Sequence, residues 1–145
     1  MEQNVRYFFN LPADLAEKES TKCLDLSHNY YIIVPLDAEG IERLYRYDIY
    51  FNGEIRSDMA VLVFHEDVFY YMEPRLFDFI NVECGLLINM YEEETLENDQ
   101  LDKAIAIVEV VMNNSDDDVV IDFAKKVLEL LRLAKQHGAI MGFYF

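Results

Sequence analysis

The sequence is poor in the residues that define several classes of protein. Its 145 residues include only two cysteines, five glycines and no tryptophan. Cys23 and Cys84 provide neither a disulfide framework nor a zinc-ligand spacing, which excludes disulfide-rich scaffolds and zinc fingers. No hydrophobic run approaches the ~20 residues of a transmembrane helix, and the amino terminus lacks the basic segment of a signal peptide. We therefore expect a cytoplasmic protein that does not interact with membranes.

Basic residues are also scarce. The chain has 12 lysines and arginines against 28 acidic residues, which gives a net charge of -16 and a pI of about 4.3. Phosphate backbones repel such a protein, so nucleic-acid binding is not expected, whereas a basic protein surface attracts it. Because 52% of the residues are hydrophobic and 14% aromatic, the chain is not disordered. Its length fits a single domain, residues 1–145.

Catalytic and cofactor-binding motifs are missing from the sequence. There is no phosphate-binding glycine-rich loop, no nucleophile elbow and no paired-histidine zinc helix. Asn114, Asp116 and Asp118 alternate as calcium ligands do, but the loop glycine and closing glutamate are absent, and helix capping explains these aspartates better. The triplet His65-Glu66-Asp67 is more typical of a solvated turn than of a metal site. We expect no enzymatic activity, no cofactor and no metal site.

A turn signal in the middle of the chain predicts a β-hairpin. Alternating aromatic and polar residues lead into Asn52-Gly53, and both of these residues tolerate positive φ. A two-residue turn would set the apolar Ile49 opposite the charged Arg56. A three-residue turn with a bulge would instead pair Asp48 with Arg56 and apolar residues with one another. We predict the bulged turn.

The segments around this hairpin predict an antiparallel sheet. The hairpin covers residues 44–64, and β-branched and aromatic residues indicate further strands over 30–34 and 68–72. Together they form a four-strand antiparallel β-meander over residues 30–72. The short apolar segment 5–9 indicates an additional edge strand.

The spacing of hydrophobic residues becomes helical after Pro74. Residues 74–91 contain Gly85, which leaves open whether they form one helix or a helix and a strand. Two clearer stripes predict helices over residues 101–112 and 119–134, which should form an antiparallel pair.

Capping signals bound the second of these helices. Ser115 and Asp118 resemble a capping box at its start, and Gly138 provides a stop. The apolar segment 140–145 predicts a final strand. The predicted fold class is α+β: an antiparallel β-meander, then two or three helices packed on one face, and a C-terminal strand.

Negative charge is concentrated in residues 66–102. They contain eleven acidic residues and one arginine, which accounts for -10 of the net charge of -16. A solvated acidic surface explains this pattern, and so does a docking surface on which acids steer a basic partner and tyrosines anchor it. The candidate partner-binding residues are Glu66, Asp67, Tyr70, Tyr91, Glu92, Glu93, Glu94, Glu97 and Asp99.

In its size, acidity, lack of catalytic motifs and order of sheet and helices, the chain resembles the small immunity proteins that bacteria make against their own toxins. The resemblance spans the whole chain but rests on general character, so it assigns no residue roles. It implies a basic toxin or effector domain, often a nuclease, whose active groove the acidic side chains would occlude in place of phosphates.

Two other interpretations remain open. The chain could be an adaptor or a subunit of a larger assembly, including a homodimer formed through an exposed edge strand at residues 143–145. It could also bind a small ligand, or act as an enzyme, in a crevice between the sheet and the helices. The sequence allows a monomer or a homodimer.

Overall fold

The computed structural model describes residues 5–89 and 93–145. The helices and strands follow one another along the chain as β1 (Arg6–Phe9), α1 (Ala13–Ser20), β2 (Asn29–Pro35), α2 (Ala38–Tyr45), β3 (Tyr50–Phe51), β4 (Glu54–Ile55), β5 (Met59–His65), α3 (Glu66–Met72), α4 (Asp78–Cys84), β6 (Glu93–Leu96), α5 (Leu101–Asn114), α6 (Asp118–Gln136) and β7 (Met141–Tyr144). A π-helical segment, Glu73–Phe77, joins α3 to α4, and a 3-10 turn, Asn98–Gln100, precedes α5.

Five of the strands form one mixed sheet in the order β1-β5-β2-β7-β6. β1 runs parallel to β5, and the other neighbouring strands of this sheet are antiparallel. Ile32 and Ile33 are adjacent on β2 and therefore point to opposite faces, yet both are fully buried. The centre of the sheet is thus covered on both sides. The predicted α+β class and C-terminal strand are confirmed.

The two faces of the sheet carry cores of different size. Helices α3 to α6 cover one face, where Phe64 packs edge-on against Phe123 with ring centroids 5.3 Å apart. The opposite face carries a smaller core that includes Ile33, Leu44 and Ile49. The short helix α2 and the β3–β4 hairpin lie on this smaller core. They form a thin layer, which leaves their outer side chains in solvent.

The predicted antiparallel meander over residues 30–72 is wrong. Residues 68–72 belong to α3, and Val68, Phe69, Met72 and Leu76 are buried at helical spacing. A run of five mostly apolar residues fits a strand equally well, which is why the two could not be distinguished. The partners of β2 are instead β5 and the distant β7.

The predicted turn at Asn52-Gly53 is confirmed, but the predicted bulged register is wrong. Tyr50 pairs with Ile55, so the turn has two residues, and their φ values are 52° and 80°. Such values are those of a type I′ turn. The expected ion pair of Asp48 with Arg56 is nevertheless present at 2.9 Å.

The helices after Pro74 largely follow the sequence pattern. The antiparallel pair α5 and α6 is present, and Gly138, with a φ of 60°, ends α6. The cap of α6 is Asp117 rather than the predicted Ser115, because Asp117 Oδ1 accepts the N–H of Val119 at 2.9 Å. α4 ends at Gly85, no strand follows within residues 85–89, and residues 90–92 lie outside the described part of the chain.

The C-terminal strand is internal to the sheet. β7 lies between β2 and β6, and Phe143 is buried. Residues 143–145 therefore do not form the exposed edge that was suggested for self-association. Among the described strands, the edges of the sheet are β1 and β6.

Helix α2 is held close to the sheet at both of its ends. Asp37 caps it, with Oδ1 accepting the N–H of Gly40 at 2.6 Å. A Cβ on Gly40 would lie 3.1 Å from the Cβ of Pro35, so glycine permits this close approach to β2. Near the end of α2, the carbonyl of Leu44 accepts the hydroxyl of Tyr144 at 2.9 Å. These contacts fix the direction in which the chain leaves α2.

Candidate docking surface

The structure divides the predicted partner-binding residues into two groups. The first lies in α3 and consists of Glu66, Asp67 and Tyr70. The second lies on β6 and in the turn after it and consists of Glu93, Glu94, Glu97 and Asp99. Three inter-strand steps of about 4.8 Å each separate β6 from β5, the strand that leads into α3. Tyr91 and Glu92 lie outside the described residues.

The first group contributes mainly to the fold. Glu66 is only 3% exposed, and its Oε2 accepts the N–H groups of Leu24 at 2.6 Å and Asp25 at 3.0 Å. This buried carboxylate fixes the loop between α1 and β2 and is not presented to a partner. Asp67 accepts the N–H of Val68 within the first turn of α3.

Side chains of the second group contact the end of α2 and the segment after α4. Glu97 Oε1 accepts the hydroxyl of Tyr45 at 2.7 Å, which connects the turn after β6 to the end of α2. Glu94 Oε2 accepts the N–H of Leu87 at 2.9 Å and so holds the segment after α4. Glu93 and Asp99 are exposed.

Four exposed aromatic side chains follow one another closely in sequence, where α2 ends and the hairpin begins. Tyr45, Tyr47, Tyr50 and Phe51 are 50%, 60%, 48% and 61% exposed. We call these four residues the aromatic face. Large aromatic side chains supply much of the binding energy of protein interfaces, and an exposed apolar cluster is typical of an interaction site.

Both signs of charge border the aromatic face: Arg46 is exposed between Tyr45 and Tyr47, whereas two other arginines are engaged within the protein. Arg56 pairs with Asp48 and lies over the ring of Phe51, 5.5 Å from its centroid. Arg43 pairs with Asp58 at 2.6 Å. The side of the face towards β6 is acidic, with the carboxylates of Glu93 and Glu97.

A cavity of about 200 Å³ opens beside the aromatic face and is lined by two pairs of perpendicular tyrosine rings. The centroids of Tyr31 and Tyr50 are 6.1 Å apart at 82°, and those of Tyr47 and Tyr144 are 6.0 Å apart at 83°. Glu93 also lies in its lining. We call this the tyrosine cavity.

The surroundings raise the pKa of Tyr45, Tyr50 and Tyr144. Burial, and then a hydrogen bond with Tyr31, raise the pKa of Tyr50 from 10.0 to about 12. Burial also raises the pKa of Tyr144. The hydrogen bond to Glu97 raises the pKa of Tyr45. Tyr45, Tyr50 and Tyr144 are therefore neutral phenols at pH 7, and their rings have the negative π-faces of an uncharged aromatic group.

Tyr47 has a backbone conformation that is unusual for its residue type. Its φ is 58°, in the left-handed region. Its N–H donates to Leu44 O at 3.1 Å, and the N–H of Asp48 donates to Arg43 O at 2.8 Å. These are the two hydrogen bonds of a Schellman motif, whose left-handed residue is usually glycine. A side chain with a Cβ destabilises this conformation by about 1–2 kcal/mol.

Two other helices of the chain end with glycine in the same conformation. Gly85 follows α4 with a φ of 65°, and Gly138 follows α6 with a φ of 60°. Only Tyr47 combines a left-handed helix cap with a large side chain among the described residues. Since that side chain is mostly in solvent, core packing does not explain it. Strain of this kind clusters at functional sites.

A larger cavity of about 540 Å³ lies on the helical side of the molecule, between α4, α5 and the start of α6. Its walls are mostly apolar. Two of its polar residues serve the fold: Asp117 accepts the hydroxyl of Tyr71, and Arg75 stacks on the Tyr71 ring with its guanidinium carbon 4.0 Å from the centroid. Ligand sites usually contain polar groups that converge on the ligand, and here Arg75 and Asp117 are engaged with Tyr71 instead.

The cysteines are not activated as nucleophiles. Burial, with the nearby carboxylate of Glu66 as the next cause, raises the pKa of Cys23 to about 11. Burial likewise raises the pKa of Cys84. Both side chains are therefore thiols at neutral pH, whereas a catalytic cysteine needs a thiolate.

Sequence reasoning missed the aromatic face, because it assigned residues 45–51 to one arm of a hairpin in a sheet. The signal that could have found it was the number of aromatic residues close to the Asn52-Gly53 turn. Side chains of a strand alternate between its two faces, so aromatic residues at consecutive positions are all buried only where both faces are covered. Aromatic residues of that density beside a turn indicate exposure, and hence a candidate binding surface.

Within residues 5–89 and 93–145, no three histidine, cysteine or acidic side chains are grouped so that they could hold a metal ion. The same residues contain no helix long and apolar enough to span a membrane. No family model, curated protein or solved structure matches this chain.

Proposed function

We propose that this protein is an acidic, immunity-type inhibitor that binds a basic toxin or effector domain and occludes its active groove. It acts in the cytoplasm of a bacterium, without enzymatic activity and without a cofactor. The observation that carries the proposal is the aromatic face, four aromatic side chains that are 48–61% exposed on a chain with a net charge of -16.

Charge and aromatic groups have separate roles in this proposal. Complementary charge accelerates association and selects the partner, particularly a nuclease domain whose groove is basic. Aromatic side chains become desolvated in the complex and supply most of the binding energy that slows its dissociation. Glu93 and Glu97 lie on the acidic border of the aromatic face, where they can contribute to both.

The negative charge cannot be neutralised within the protein. With 12 lysines and arginines against 28 acidic residues, sixteen carboxylates remain unmatched even if every cation forms one ion pair. Pairs such as Arg132 with Glu109 and Lys135 with Asp102 neutralise only part of the helical side. The surplus supports a partner of opposite charge.

The same surplus argues against a homodimer formed through this face. Two copies would bring net charges of -16 together, and repulsion between them would oppose the contact. We therefore propose that the chain binds its partner as a monomer. Light scattering on the purified protein tests this. The proposal would be contradicted if the protein were a dimer and if the aromatic-face variants described below were monomers.

The decisive experiment is affinity capture from the native host at about 0.1 M and about 1 M salt, where the Debye length falls from about 10 Å to about 3 Å. The bait is the wild-type protein or the double variant Tyr47→Ser/Phe51→Ser. The matched control is Phe79→Ser, which removes a ring that is 48% exposed on α4, on the opposite side of the sheet.

The proposal expects one basic protein that is captured by wild type and by the control variant but not by the double variant, with less capture at high salt. That protein should be toxic when expressed alone and harmless when co-expressed with the inhibitor. An acidic partner, a non-toxic partner, or equal losses in the double variant and the control would each overturn the proposal.

A further inference from the structure

The tyrosine cavity has the dimensions of a site for one side chain. Its volume of about 200 Å³ is below the range of roughly 300–1,000 Å³ of pockets for drug-sized ligands. The two perpendicular ring pairs, Tyr31 with Tyr50 and Tyr47 with Tyr144, line its wall. A flat or rod-shaped group that enters it would contact several aromatic rings at once.

The chemistry of the lining favours a cation. The faces of tyrosine rings attract a positive charge within about 6 Å of their centroids. Glu93 adds a full negative charge, and no lysine or arginine is found among the described lining residues. Arg46 directly precedes Tyr47 in the chain but is not among the lining residues, whose basic member is His28. Arg56 is already paired with Asp48.

The conformation of Tyr47 indicates that its ring is retained for what it binds. Its left-handed backbone favours glycine, which Gly85 and Gly138 provide in the equivalent caps. The ring forms part of the cavity wall and is 60% exposed in the free protein. A ligand in the cavity would cover this ring and compensate for the strain in its backbone.

We propose that the tyrosine cavity binds a guanidinium group, namely an arginine side chain of the partner, between its tyrosine rings and the Glu93 carboxylate. Arginine fits better than lysine because its planar, weakly hydrated group stacks on aromatic faces and forms paired hydrogen bonds with a carboxylate. That the arginine belongs to a toxin domain rests on the proposed function. The affinity of the cavity for a guanidinium ion does not.

The test is an NMR titration of the full-length, ¹⁵N-labelled protein with ethylguanidinium. N-ethylurea, which is uncharged and of nearly the same shape, is the matched control. We expect the amide signals of Tyr47, Tyr50, Glu93 and Tyr144 to shift with ethylguanidinium, with a dissociation constant in the millimolar range that suits a single small group. N-ethylurea should leave them unchanged.

Three variants decide which groups hold the cation. Tyr47→Gly removes one ring at a position where glycine is favoured, so the variant should fold and bind ethylguanidinium several-fold more weakly. Tyr47→Phe keeps the ring and should restore the affinity. Glu93→Gln should weaken binding up to about fivefold, the upper end expected for an exposed charge pair.

Equal shifts with N-ethylurea, no shifts with ethylguanidinium, or unchanged affinity in Tyr47→Gly and Glu93→Gln would each overturn the cavity proposal. These results are distinguishable from failure of the proposed function. If ethylguanidinium binds as expected but no basic toxin is captured, the cavity stands and the toxin assignment falls. If a toxin is captured equally by Tyr47→Gly and Glu93→Gln, the cavity assignment falls instead.

Discussion

Tyr47 and Gly138 occupy the same position in the C-terminal caps of α2 and α6, with φ values of 58° and 60°. Both caps close with the same pair of hydrogen bonds, which for α6 run from Gly138 N–H to Lys135 O at 3.2 Å and from Ala139 N–H to Ala134 O at 2.8 Å. The same cap geometry therefore occurs twice in this chain, once with the favoured glycine at Gly138 and once with a strained residue, Tyr47. This pair allows the strain at Tyr47 to be measured.

We predict that Tyr47→Gly is more stable than Tyr47→Ala by about 1 kcal/mol. Both variants lose the same ring and its contact with Tyr144, so their difference isolates the left-handed backbone. Urea denaturation of the two variants measures this difference. At Gly138, where no atom lies within 4 Å of the position that a Cβ would take, Gly138→Ala should lower stability by a similar amount.

Ala106, an exposed residue in the middle of α5, provides a control at which glycine should be less stable than alanine. There, Ala106→Gly should lower stability by about 1 kcal/mol, because glycine is unfavourable inside a helix. If Tyr47→Gly were also less stable than Tyr47→Ala, the cap would not be strained, and the argument for a functional Tyr47 ring would lose its support.

The pKa of Tyr50 predicts a loss of stability at alkaline pH. The folded protein holds the hydroxyl proton up to about pH 12, whereas the unfolded chain releases it near the ordinary pKa of 10.0. The resulting stabilisation is complete below pH 10 and is lost as the pH rises to about 12. Because Tyr50 is about half exposed, we expect a contribution of less than about 1 kcal/mol.

Comparison with Tyr50→Phe isolates this contribution, because phenylalanine cannot ionise. The difference in unfolding free energy between wild type and variant should be constant from neutral pH to pH 9 and should then shift against wild type. Chemical denaturation at each pH provides the measurement. A constant difference up to pH 12 would mean that Tyr50 ionises equally in the folded and unfolded states.

The helices and strands that could be predicted from the sequence are those with a long hydrophobic stripe or with apolar residues throughout. The stripe of α6 repeats over five turns, and the segment that became β7 has no polar side that could face solvent. Residues 68–72 are too few to distinguish a helix from a strand. Helix α2 was missed because it has only eight residues and contains Gly40, which its close approach to Pro35 requires.

The candidate site was less predictable, because charge along the chain does not reveal where each carboxylate points. Glu66 belongs to the acidic run but turns inward to two main-chain N–H groups. Exposure of Tyr45 and Tyr50 depends on how thinly α2 and the hairpin cover the sheet, which is set by contacts distant in sequence. The conformation of Asn52, rather than the pairing of side chains, decided the hairpin register.

We predict that Glu66→Ala lowers the unfolding free energy by about 2 kcal/mol, because it leaves the N–H groups of Leu24 and Asp25 without their acceptor. Thermal or urea denaturation measures the loss. Glu66→Gln keeps one acceptor oxygen and should lose less. Asp99→Asn, which removes an exposed acid, should change stability by less than about 0.5 kcal/mol.

The sequence pattern suggested that Glu66 binds the partner, but we predict that it does not contribute to partner binding. At temperatures where the protein remains folded, Glu66→Gln should bind the partner as wild type does, because its side chain is buried. A loss of affinity in folded Glu66→Gln, as large as that of Glu93→Gln, would restore Glu66 as a docking residue.

Position on the surface, and not net charge alone, should determine the rate of association. Glu93→Lys and Glu83→Lys change the net charge equally, but Glu93 lines the tyrosine cavity and Glu83 is exposed on α4, on the opposite side of the sheet. With the captured partner on a sensor surface, Glu93→Lys should reduce the association rate constant roughly threefold or more, because a rim charge acts mainly on association. Glu83→Lys should reduce it much less, and salt should diminish the difference. Equal reductions in the two variants would mean that the partner responds to the overall charge and does not approach through the aromatic face.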